Sequence, residues 1–345
     1  MSRPRLRALV LAAGRGDRLR PLTDFTPKPL LPVAGEPIAG ATLRRLAAAG
    51  CEAAALNLHH LGEQIRAHFG AEYAGVPLTY SSEPELLGTL GALYPLRGFL
   101  AEADVILLLN GDSLCRWPLE QLVRRHRQRG ADATLLLHSR ISVASFGGGV
   151  GVDRRDRITS FRRATAEGEV RRGVFAGAHA LSPRLLERIP EGPSDIISAL
   201  YEPLLAEGGR LEALWTARRW HDLGTPERYL DGVLESATRS LGRSSIAVGA
   251  LVDAGARVRA SVLETGAVIE RDAEVEHAVL LTGTSVGEGA RLSRVVLGHG
   301  VAVPAGARIE SMLVTREQLQ SAPPASSRVE MGLVLTPLAG HRIDP

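Results

Sequence analysis

The amino-acid sequence predicts an α/β protein, with an open, mostly parallel sheet and flanking helices, followed by a short parallel β-helix. Two observations predict this fold class. Short aliphatic runs alternate with helical patterns from about residue 7 to residue 137, and a 17-residue repeat runs through the last third of the chain. A chain of 345 residues is also long enough for two domains, because single hydrophobic cores stop growing near ~250–300 residues. We expect a first domain over residues 1–240, a β-helix over residues 245–318 and a tail over residues 319–345.

Strand and helix patterns alternate through the first half of the first domain. Alternation of this kind is typical of a parallel sheet, whose ligands bind beyond the carboxyl ends of its strands. The predicted strands are Ala8–Ala12, Ala53–Leu58, Pro77–Ser81, Val105–Leu109 and Ala133–Leu137. The predicted helices are Pro37–Ala49, Gly62–Phe69, Thr89–Leu96 and Pro118–Gln128.

The second half of the first domain has a weaker pattern. Three consecutive glycines at 147–149 and an arginine-rich stretch interrupt it. Beyond them, the sequence predicts a helix near Ser194–Glu207, a strand near Leu211–Thr216 and a closing helix over Pro226–Arg239.

The last third repeats with a constant step of 17 residues. Aliphatic residues recur in it about every five or six positions, with glycine and alanine between them, as three flat faces per coil require. One coil cannot bury its aliphatic side chains alone, but four stacked coils bury a continuous column. This arrangement resembles the left-handed β-helix of hexapeptide-repeat proteins. The columns are Val252, Ile269, Val286 and Val303; Val258, Val275, Leu292 and Ile309; and Val262, Val279, Val296 and Leu313.

Composition and charge exclude several classes of protein. The formal net charge is +3, and the arginines form no basic stripe interleaved with aromatic residues, which argues against nucleic acid as a partner. No run reaches the ~18 apolar residues of a membrane helix, and the apolar run Ala8–Ala13 is too short for a cleavable leader. Cys51 and Cys115 form no metal-binding spacing, so we interpret them as small buried side chains. We therefore expect a cytoplasmic protein with no nucleic-acid or membrane partner.

The clearest chemical signal follows the first predicted strand. A glycine-rich turn there lets backbone N–H groups approach phosphates, because glycine has no side chain to hold the anion away. The dinucleotide fingerprint would need a third glycine where Leu19 stands, and the Gly-Lys-Ser/Thr of the Walker loop is nowhere in the chain. Two cations remain: Arg18 close to the turn, and Lys28 between Pro27 and Pro29. The two prolines restrict the backbone on both sides of Lys28 and stiffen this segment.

The segment from Leu11 to Pro37 resembles the signature of the sugar-phosphate nucleotidyltransferase family, L-A-A-G-x-G-x-R-L-x-P-L-T-x-x-x-P-K-P-L-L-P-V-x-G-x-P. The resemblance implies an enzyme that joins a nucleoside triphosphate to a sugar 1-phosphate and releases pyrophosphate, with residues 1–240 as its catalytic domain. It implies that Arg18 contacts the triphosphate and favours departure of pyrophosphate, and that Lys28 contacts phosphate near the reacting centre. The residues that it places around the nucleotide in this segment are Leu11, Ala13, Gly14 and Gly16.

Two later motifs supply carboxylates. The apolar strand Val105–Leu109 ends in Asn110-Gly111-Asp112, and a carboxylate at the carboxyl end of a central strand is placed to hold a metal beside a nucleotide. The segment at 220–226 resembles the family motif W-x-D-[IL]-G-T-P and supplies Asp222. The resemblance implies that Asp112 and Asp222 together coordinate Mg²⁺, with Asp112 also in the nucleotide site. In-line attack on the α-phosphorus needs that charge, because the barrier is largely electrostatic.

The segment at 82–92 resembles the base-recognition turn of the family, E-x-x-L-L-G-T-x-G-A-L. The resemblance places Glu83, Gly88 and Thr89 near the base, whereas a helix start capped by Thr89 is an equal interpretation of that residue alone. Family members with L-G-T-x-G are often guanylyltransferases. GTP is therefore the first choice of donor, with UTP and dTTP as alternatives.

The chain departs from the family pattern on the sugar side. Relatives that act on glucose 1-phosphate carry F-x-E-K-P where this sequence reads Phe161-Arg162-Arg163, and the N-A-G of the family is Phe175-Ala176-Gly177 here. The resemblance implies that Gly147, Arg163 and Gly177 bind the sugar phosphate. The lost glutamate and asparagine favour mannose 1-phosphate, or a related hexose or heptose 1-phosphate, over glucose 1-phosphate.

Two alternatives from other classes stay open. One is a non-catalytic regulatory subunit that senses an NDP-sugar; such relatives typically lose the signature cations, whereas Arg18 and Lys28 are both present here. The other is an acyltransferase built on the β-helix, with His277 and His299 as its candidate residues. Four coils without an extended loop favour a structural role instead, and we expect the β-helix to support a homo-oligomer.

Overall fold

A computed structural model describes residues 3–162, 164–237, 243–317 and 322–338 of the chain. Over these residues the protein forms two compact units. The first comprises Met1–Gly14 and Ala39–Trp220, and the second comprises Arg15–Ile38 and His221–Pro345. The chain thus leaves the first unit directly after Gly14, and the rest of the glycine-rich signature belongs with the C-terminal part. The expected domain boundaries near 240 and 318 stay predictions.

The first unit contains a mixed sheet with a parallel centre. Its strands in spatial order are Ile158–Phe161, Val150–Val152, Arg171–Leu181, Val105–Asn110, Leu6–Leu11, Ala53–Leu58, Val76–Ser82 and Glu72–Tyr73; Ala133–His138 joins Arg171–Leu181, and Leu211–Thr216 joins Ala133–His138. The central strand Leu6–Leu11 runs parallel to both neighbours, Ala53–Leu58 and Val105–Asn110. Three carboxyl ends therefore meet at one edge of the sheet, where α/β proteins bind their ligands.

The predicted sheet is present, and it carries an antiparallel extension that the sequence did not indicate. Val150–Val152, Ile158–Phe161 and Arg171–Leu181 pair in antiparallel fashion and continue the sheet beyond Val105–Asn110. Glycine, serine, threonine and arginine residues break the aliphatic pattern in these strands. In Arg171–Leu181, small buried residues such as Ala176 stand where the pattern would need a large aliphatic side chain.

Four of the predicted helices begin and end close to the expected residues. They are Ile38–Ala49, Gly62–Phe69, Leu119–Arg129 and Pro226–Ala237, and residues 238–239, at the expected end of the last helix, lie outside the described residues. The predicted helix Thr89–Leu96 is wrong as a single element, because Gly88–Gly91 is an α-helical turn and Tyr94–Leu96 is a separate 3-10 turn, followed by the short helix Arg97–Ala101. Pro95 lies in the second turn and has no N–H to continue the helical bonding from the first.

The predicted helix at Ser194–Glu207 is also shorter than expected. A π-helical turn over Ile197–Tyr201 precedes the α-helix Glu202–Ala206. Pro203 lies at the junction, and its missing N–H removes one bond of the regular ladder. No helix in the described part of the chain is long and apolar enough to cross a membrane.

Both cysteines are buried in the first unit as free thiols. Burial raises the pKa of Cys51 to about 12 and that of Cys115 to about 12. Neither thiol therefore ionises near neutral pH, and both pack as small apolar side chains.

The C-terminal part of the second unit is a parallel β-helix with the expected step. Residues 17 positions apart are paired on each of its three faces, for example Val262 with Val279, Ile269 with Val286 and Val275 with Leu292. All six of these side chains are buried, and Ile269, Val275, Val286 and Leu292 lie in the aliphatic core that the stacked coils share. On the third face that core is filled by Leu263 and Leu280, so the column of Val262 and Val279 is buried outside it. The strands are Ser245–Ile246, Leu251–Val252, Arg257–Arg259, Val262–Leu263, Val268–Ile269, Glu274–Glu276, Val279–Leu280, Ser285–Val286, Arg291–Leu297, Ala302–Val303 and Arg308–Arg316.

The described part of the tail folds back on the last coil. Leu333–Pro337 pairs antiparallel with Arg308–Arg316, and Arg328–Glu330 pairs with Leu333–Pro337. The buried side chains of Leu333 and Leu335 extend the core of the β-helix. Pairing of this kind covers the open edge of the last coil. Residues 319–321 and 339–345 of the predicted tail lie outside the described residues.

The signature segment at 15–38 packs within the second unit. Phe25 faces the guanidinium of Arg316, which lies 5.5 Å from the ring centre. Nη2 of Arg20 donates to the carbonyl of Ala322 at 2.9 Å. The segment is built from the 3-10 turns Asp17–Leu19, Leu22–Asp24 and Lys28–Leu30 and from a hairpin that pairs Pro32–Val33 with Glu36–Pro37.

Candidate active site

The first strand ends beside the turn that carries Asp112. The N–H of Gly111 donates to the carbonyl of Leu11 at 2.9 Å. A Cβ at Gly111 would lie 2.7 Å from the same oxygen, so only glycine fits. Ala13 is buried, whereas a Cβ at Gly14 would meet nothing within 4 Å. The backbone at Gly14 is therefore open to approach by an anion at the carboxyl end of this strand.

A buried chain of hydrogen bonds joins the end of the first strand to the predicted base-recognition turn. The N–H of Ala12 donates to Oδ1 of Asn57 at 2.7 Å, and Nδ2 of Asn57 donates to Oε1 of Glu83 at 2.8 Å. Oε2 of Glu83 accepts the N–H of Leu87 at 3.0 Å. Both oxygens of Glu83 thus hold the protein's own loops, and contact with a base stays a prediction. Sequence reasoning missed Asn57, although a polar residue inside an aliphatic strand is a signal.

Replacing Asn57 by alanine should destabilise the first unit. The change removes the acceptor of the Ala12 N–H and the donor to Glu83, where Asn57 and Glu83 are only 3% and 4% exposed. Each buried polar group left unpaired costs about 1–3 kcal/mol, so we expect the free energy of unfolding in urea to fall by about 2–4 kcal/mol. Glu85 is an exposed residue of the same turn, and Glu85→Ala should unfold like the wild type. An Asn57→Ala protein as stable as this control contradicts the supporting role.

The turn at Gly88 and Thr89 is held against the segment around Ser194. Gly88 has φ +74°, and a Cβ there would lie 2.6 Å from the carbonyl oxygen of Ser194. The hydroxyl of Thr89 accepts the N–H of Ile196 at 2.9 Å. Thr89 therefore satisfies a backbone donor of a distant segment instead of capping its own helix. Its place in the nucleotide site stays a prediction, as does that of Gly88.

Gly177 lies against the turn that carries Asp112. Its φ is +79°, and a Cβ there would come within 3.4 Å of Cβ of Asn110 and within 3.5 Å of Oγ of Ser113. Ser113 also donates its hydroxyl to Oδ1 of Asp112 at 3.3 Å. The structure thus brings together Asp112 and Gly177, which the sequence assigned to different substrates.

Arg172 organises the region predicted to bind the sugar phosphate. Its guanidinium donates to the carbonyl of Gly148 at 2.6 Å, to Oγ of Ser160 at 2.7 Å and to Oε1 of Glu169 at 2.6 Å. Although burial raises the pKa of Glu169, hydrogen bonds from Arg172 and Ser160 hold it below its usual value. Gly147, one residue before this network, faces open space.

The region predicted to bind the sugar phosphate includes Arg163 and Arg172. Arg163 lies outside the described residues. Sequence reasoning missed Arg172, because an arginine in an arginine-rich stretch carries no distinguishing pattern. Only the folded strands bring its donors onto the glycine run and the segment after Phe161.

The second unit gathers the signature cations around Asp222. Nζ of Lys28 lies 3.9 Å from Oδ1 of Asp222, and Nη1 of Arg228 donates to Oδ2 at 2.7 Å. A Cβ at Gly224 would lie 2.8 Å from Nη2 of Arg18 and 2.9 Å from Oδ1 of Asp222. The missing side chain at Gly224 therefore leaves room for Arg18 beside the carboxylate. Sequence reasoning predicted Arg18, Lys28 and Asp222 but missed Arg228, which follows Asp222 by six positions.

Lys28 is a buried lysine in a chain whose other strongly basic residues are all arginines. It is 5% exposed, and it is the one lysine in a chain with 41 lysines and arginines together. A lysine places a compact point charge on a flexible stem, whereas arginine carries a rigid planar fork with five N–H donors. The ammonium group of Lys28 is buried 3.9 Å from Oδ1 of Asp222, so arginine is not an equivalent replacement for lysine at this position.

Gly16 is needed for the shape of the signature turn. Its φ is +70°, and a Cβ there would lie 2.8 Å from Cγ2 of Thr23. The hydroxyl of Thr23 donates to the carbonyl of Gly16 at 3.0 Å and ties the turn back on itself. A contact between Gly16 and nucleotide stays a prediction.

The chemistry of Asp222 suits a hard divalent cation. Carboxylate oxygens are the ligands that Mg²⁺ takes from proteins, and Mg²⁺ is held by one or two of them together with substrate phosphates. Asp112 belongs to the first unit and Asp222 to the second, so their pairing as ligands stays a prediction. Among the described residues, no group of three or more His, Cys, Asp or Glu side chains could hold a metal ion.

Comparison with known proteins shows the family. Residues 7–239 match the family model described as nucleotidyl transferase, and residues 233–315 match the one described as GlmU-like, C-terminal hexapeptide. The chain therefore belongs to the nucleotidyl transferase family, and the resemblance and the fold class predicted from the sequence are confirmed. Nucleotidyltransferases of this kind generally use a divalent metal ion.

Several relatives are named for mannose 1-phosphate. The mannose-1-phosphate guanylyltransferase catalytic subunit beta of Drosophila pseudoobscura pseudoobscura is 36% identical over 230 residues, which cover 66% of this chain and 61% of that protein. The mannose-1-phosphate guanylyltransferase of Mycobacterium tuberculosis (strain ATCC 25618 / H37Rv) is 36% identical over 228 residues, or 65% and 63%. The chain spans less than two thirds of the length of these curated relatives.

Solved structures share the fold. The crystal structure of HddC from Yersinia pseudotuberculosis matches with a TM-score of 0.57 at 21% identity and covers 67% of this chain and 99% of that one. The crystal structure of HddC complexed with GMP-PN matches with a TM-score of 0.56 at 21% identity, with the same coverage.

Proposed function

We propose that this protein is a sugar-1-phosphate nucleotidyltransferase that uses GTP and mannose 1-phosphate, or a related hexose or heptose 1-phosphate. The observation that carries the proposal is the cluster of Arg18, Lys28 and Arg228 around Asp222. Three cations beside one carboxylate suit a substrate whose reacting groups are phosphates, since charge-assisted hydrogen bonds to phosphate are strong.

In the proposed reaction, an oxygen of the sugar 1-phosphate attacks the α-phosphorus of the triphosphate. The bond from the α-phosphorus to the bridging oxygen breaks, and pyrophosphate leaves with the electron pair. Arg18 holds the departing phosphates, and Lys28 stabilises negative charge near the reacting phosphorus. A divalent ion, for which we propose Mg²⁺, supplies further positive charge when bound. Asp112 and Asp222 are the carboxylates proposed to hold it.

Different observations support the choice of the nucleotide and the choice of the sugar phosphate. GTP is supported by the printed names of the guanylyltransferase relatives and by the GMP-PN complex of HddC. The names of the same relatives support mannose 1-phosphate, and so does the loss of the glucose-type motif at 161–163. Gly147, Arg163 and Gly177 stay the proposed contacts of the sugar phosphate.

A grid of substrates tests the proposal. GTP, UTP, dTTP, ATP and CTP are each combined with mannose, glucose and heptose 1-phosphates, and release of pyrophosphate is measured with and without Mg²⁺. We expect the highest kcat/KM with GTP and mannose 1-phosphate or a close analogue, and no release without a divalent ion. Preference for UTP or dTTP overturns the choice of base alone. If no pair of substrates releases pyrophosphate and the protein binds an NDP-sugar tightly, the protein is a regulatory sensor and not an enzyme.

We further propose that the β-helix supports a homo-oligomer. Its first coil leaves Ile246, Val248 and Leu251 exposed, and grouped apolar side chains of this kind mark interfaces.

We also propose that the protein works in the cytoplasm. Its two cysteines are free thiols, which suit a reducing compartment of this kind.

A further inference from the structure

The hairpin that follows Lys28 has a backbone donor that its own strands do not use. Val33 pairs with Glu36 across a two-residue turn. Ala34 and Gly35 form that turn with φ +53° and +86°, and positive φ at both positions is the tight hairpin turn that favours glycine. The strand pairing uses neither central N–H, so the N–H of Gly35 needs a partner elsewhere.

Glu264 of the β-helix provides that partner. Its Oε1 accepts the N–H of Gly35 at 3.0 Å. The side chain is 3% exposed, and burial raises its pKa, although the hydrogen bond from Gly35 partly offsets this. A buried carboxyl group is costly unless it is hydrogen-bonded. The coil itself is held by backbone pairing, such as the bond from the N–H of Glu264 to the carbonyl of Leu280 at 2.9 Å. The carboxyl group therefore serves the hairpin and not the coil.

The hairpin in turn holds the segment that carries Lys28. The N–H of Leu31 donates to the carbonyl of Lys28 at 3.1 Å, and the N–H of Ile38 donates to the carbonyl of Leu31 at 3.1 Å. The hydroxyl of Tyr229, from the helix Pro226–Ala237, donates to the carbonyl of Pro32 at 2.6 Å. Glu264 and Tyr229 thus fasten the two ends of one short stretch, a few residues from the ammonium group beside Asp222.

We propose that Glu264 is a positioning residue: through the N–H of Gly35, the β-helix holds Lys28 in its place beside Asp222. This inference rests on the nucleotidyl transfer proposed above. It gives the β-helix a part in the reaction of its own chain, in addition to any part in assembly. A displacement of about 1 Å at a reacting group is enough to lower a rate by roughly 100-fold.

Kinetics of matched variants test the proposal. Glu264→Ala removes the acceptor, whereas Glu264→Gln keeps an oxygen for the Gly35 N–H. We expect Glu264→Ala to lower kcat about 10- to 100-fold, with KM for the triphosphate within about twofold of wild type, and Glu264→Gln to recover most of the rate. Glu310→Ala, at an exposed glutamate of the same β-helix, is the control and should keep the wild-type rate. A role in stability alone would lower the melting temperature and leave kcat unchanged below it.

The single lysine provides a readout that needs no activity. Protein made with isotope-labelled lysine gives one side-chain NMR signal, from Lys28. We expect that signal to shift in Glu264→Ala and to stay in place in Glu264→Gln and Glu310→Ala. An unshifted signal in folded Glu264→Ala, together with wild-type kcat, overturns the inference and leaves the proposed function standing. If the wild type is inactive with every substrate pair, the proposed function fails, and an unshifted signal then overturns the positioning role as well.

Discussion

An Asp222→Ala variant is expected to release pyrophosphate roughly 100- to 1,000-fold more slowly than the wild type at saturating substrates. The carboxylate stands 3.9 Å from Nζ of Lys28 and 2.7 Å from Nη1 of Arg228. Its removal takes one negative charge away from beside Lys28 and Arg228 and removes a proposed metal ligand. The rate should be measured across a range of Mg²⁺ concentrations, because a lost ligand also raises the concentration needed for half-maximal activity.

Asp231 provides the matched control for Asp222. It lies on the same helix as Arg228 and forms an exposed pair with Arg294 at 3.6 Å. Exposed ion pairs contribute about 0–1 kcal/mol, so Asp231→Ala should keep the wild-type rate and Mg²⁺ dependence. If Asp222→Ala behaves in the same way, the carboxylate has no part in the reaction.

A Lys28→Met variant is expected to lose roughly 100- to 1,000-fold in kcat while it stays folded. Methionine fills the space of the buried lysine stem without its charge, so the main change is the loss of the ammonium group beside Asp222. The thermal midpoint should therefore change little, and single-turnover rates should show whether the loss lies in the chemical step.

Lys28→Arg separates charge from shape at this position. It keeps the positive charge but must fit a planar fork into a site where the lysine is 5% exposed. We expect a rate between those of the wild type and Lys28→Met. Equal, wild-type rates for all three proteins would remove Lys28 from the reaction.

The elements of the fold that could be predicted are those with one dominant pattern. Leu6–Leu11 and Val105–Asn110 are aliphatic runs, and the β-helix repeats with a constant step. Arg171–Leu181 was missed because most of its buried positions hold alanine and glycine, which carry little strand signal. The helix at Thr89–Leu96 was wrong because Pro95 interrupts a pattern that is otherwise helical.

The site could be predicted where a contiguous motif encodes it. Arg18 and Lys28 lie in one motif and Asp222 in another, and the structure brings all three around Gly224. Residues that act through other residues carry no such pattern. Asn57 joins two loops that are far apart in the sequence, and its role is visible only from its hydrogen bonds.

The hairpin after Lys28 depends on partners that the ribosome makes much later. Gly35 and Glu264 are 229 residues apart, and Pro32 and Tyr229 are 197 residues apart. At a synthesis rate of about 5–20 residues per second, Glu264 is made on the order of ten to fifty seconds after the turn that it holds. Closing so long a loop is entropically unfavourable until the β-helix provides its contacts. During synthesis the strands around Leu6–Leu11 can therefore pair early, whereas the signature segment at 15–38 can make its contacts with Tyr229 and Glu264 only after those residues have been synthesised.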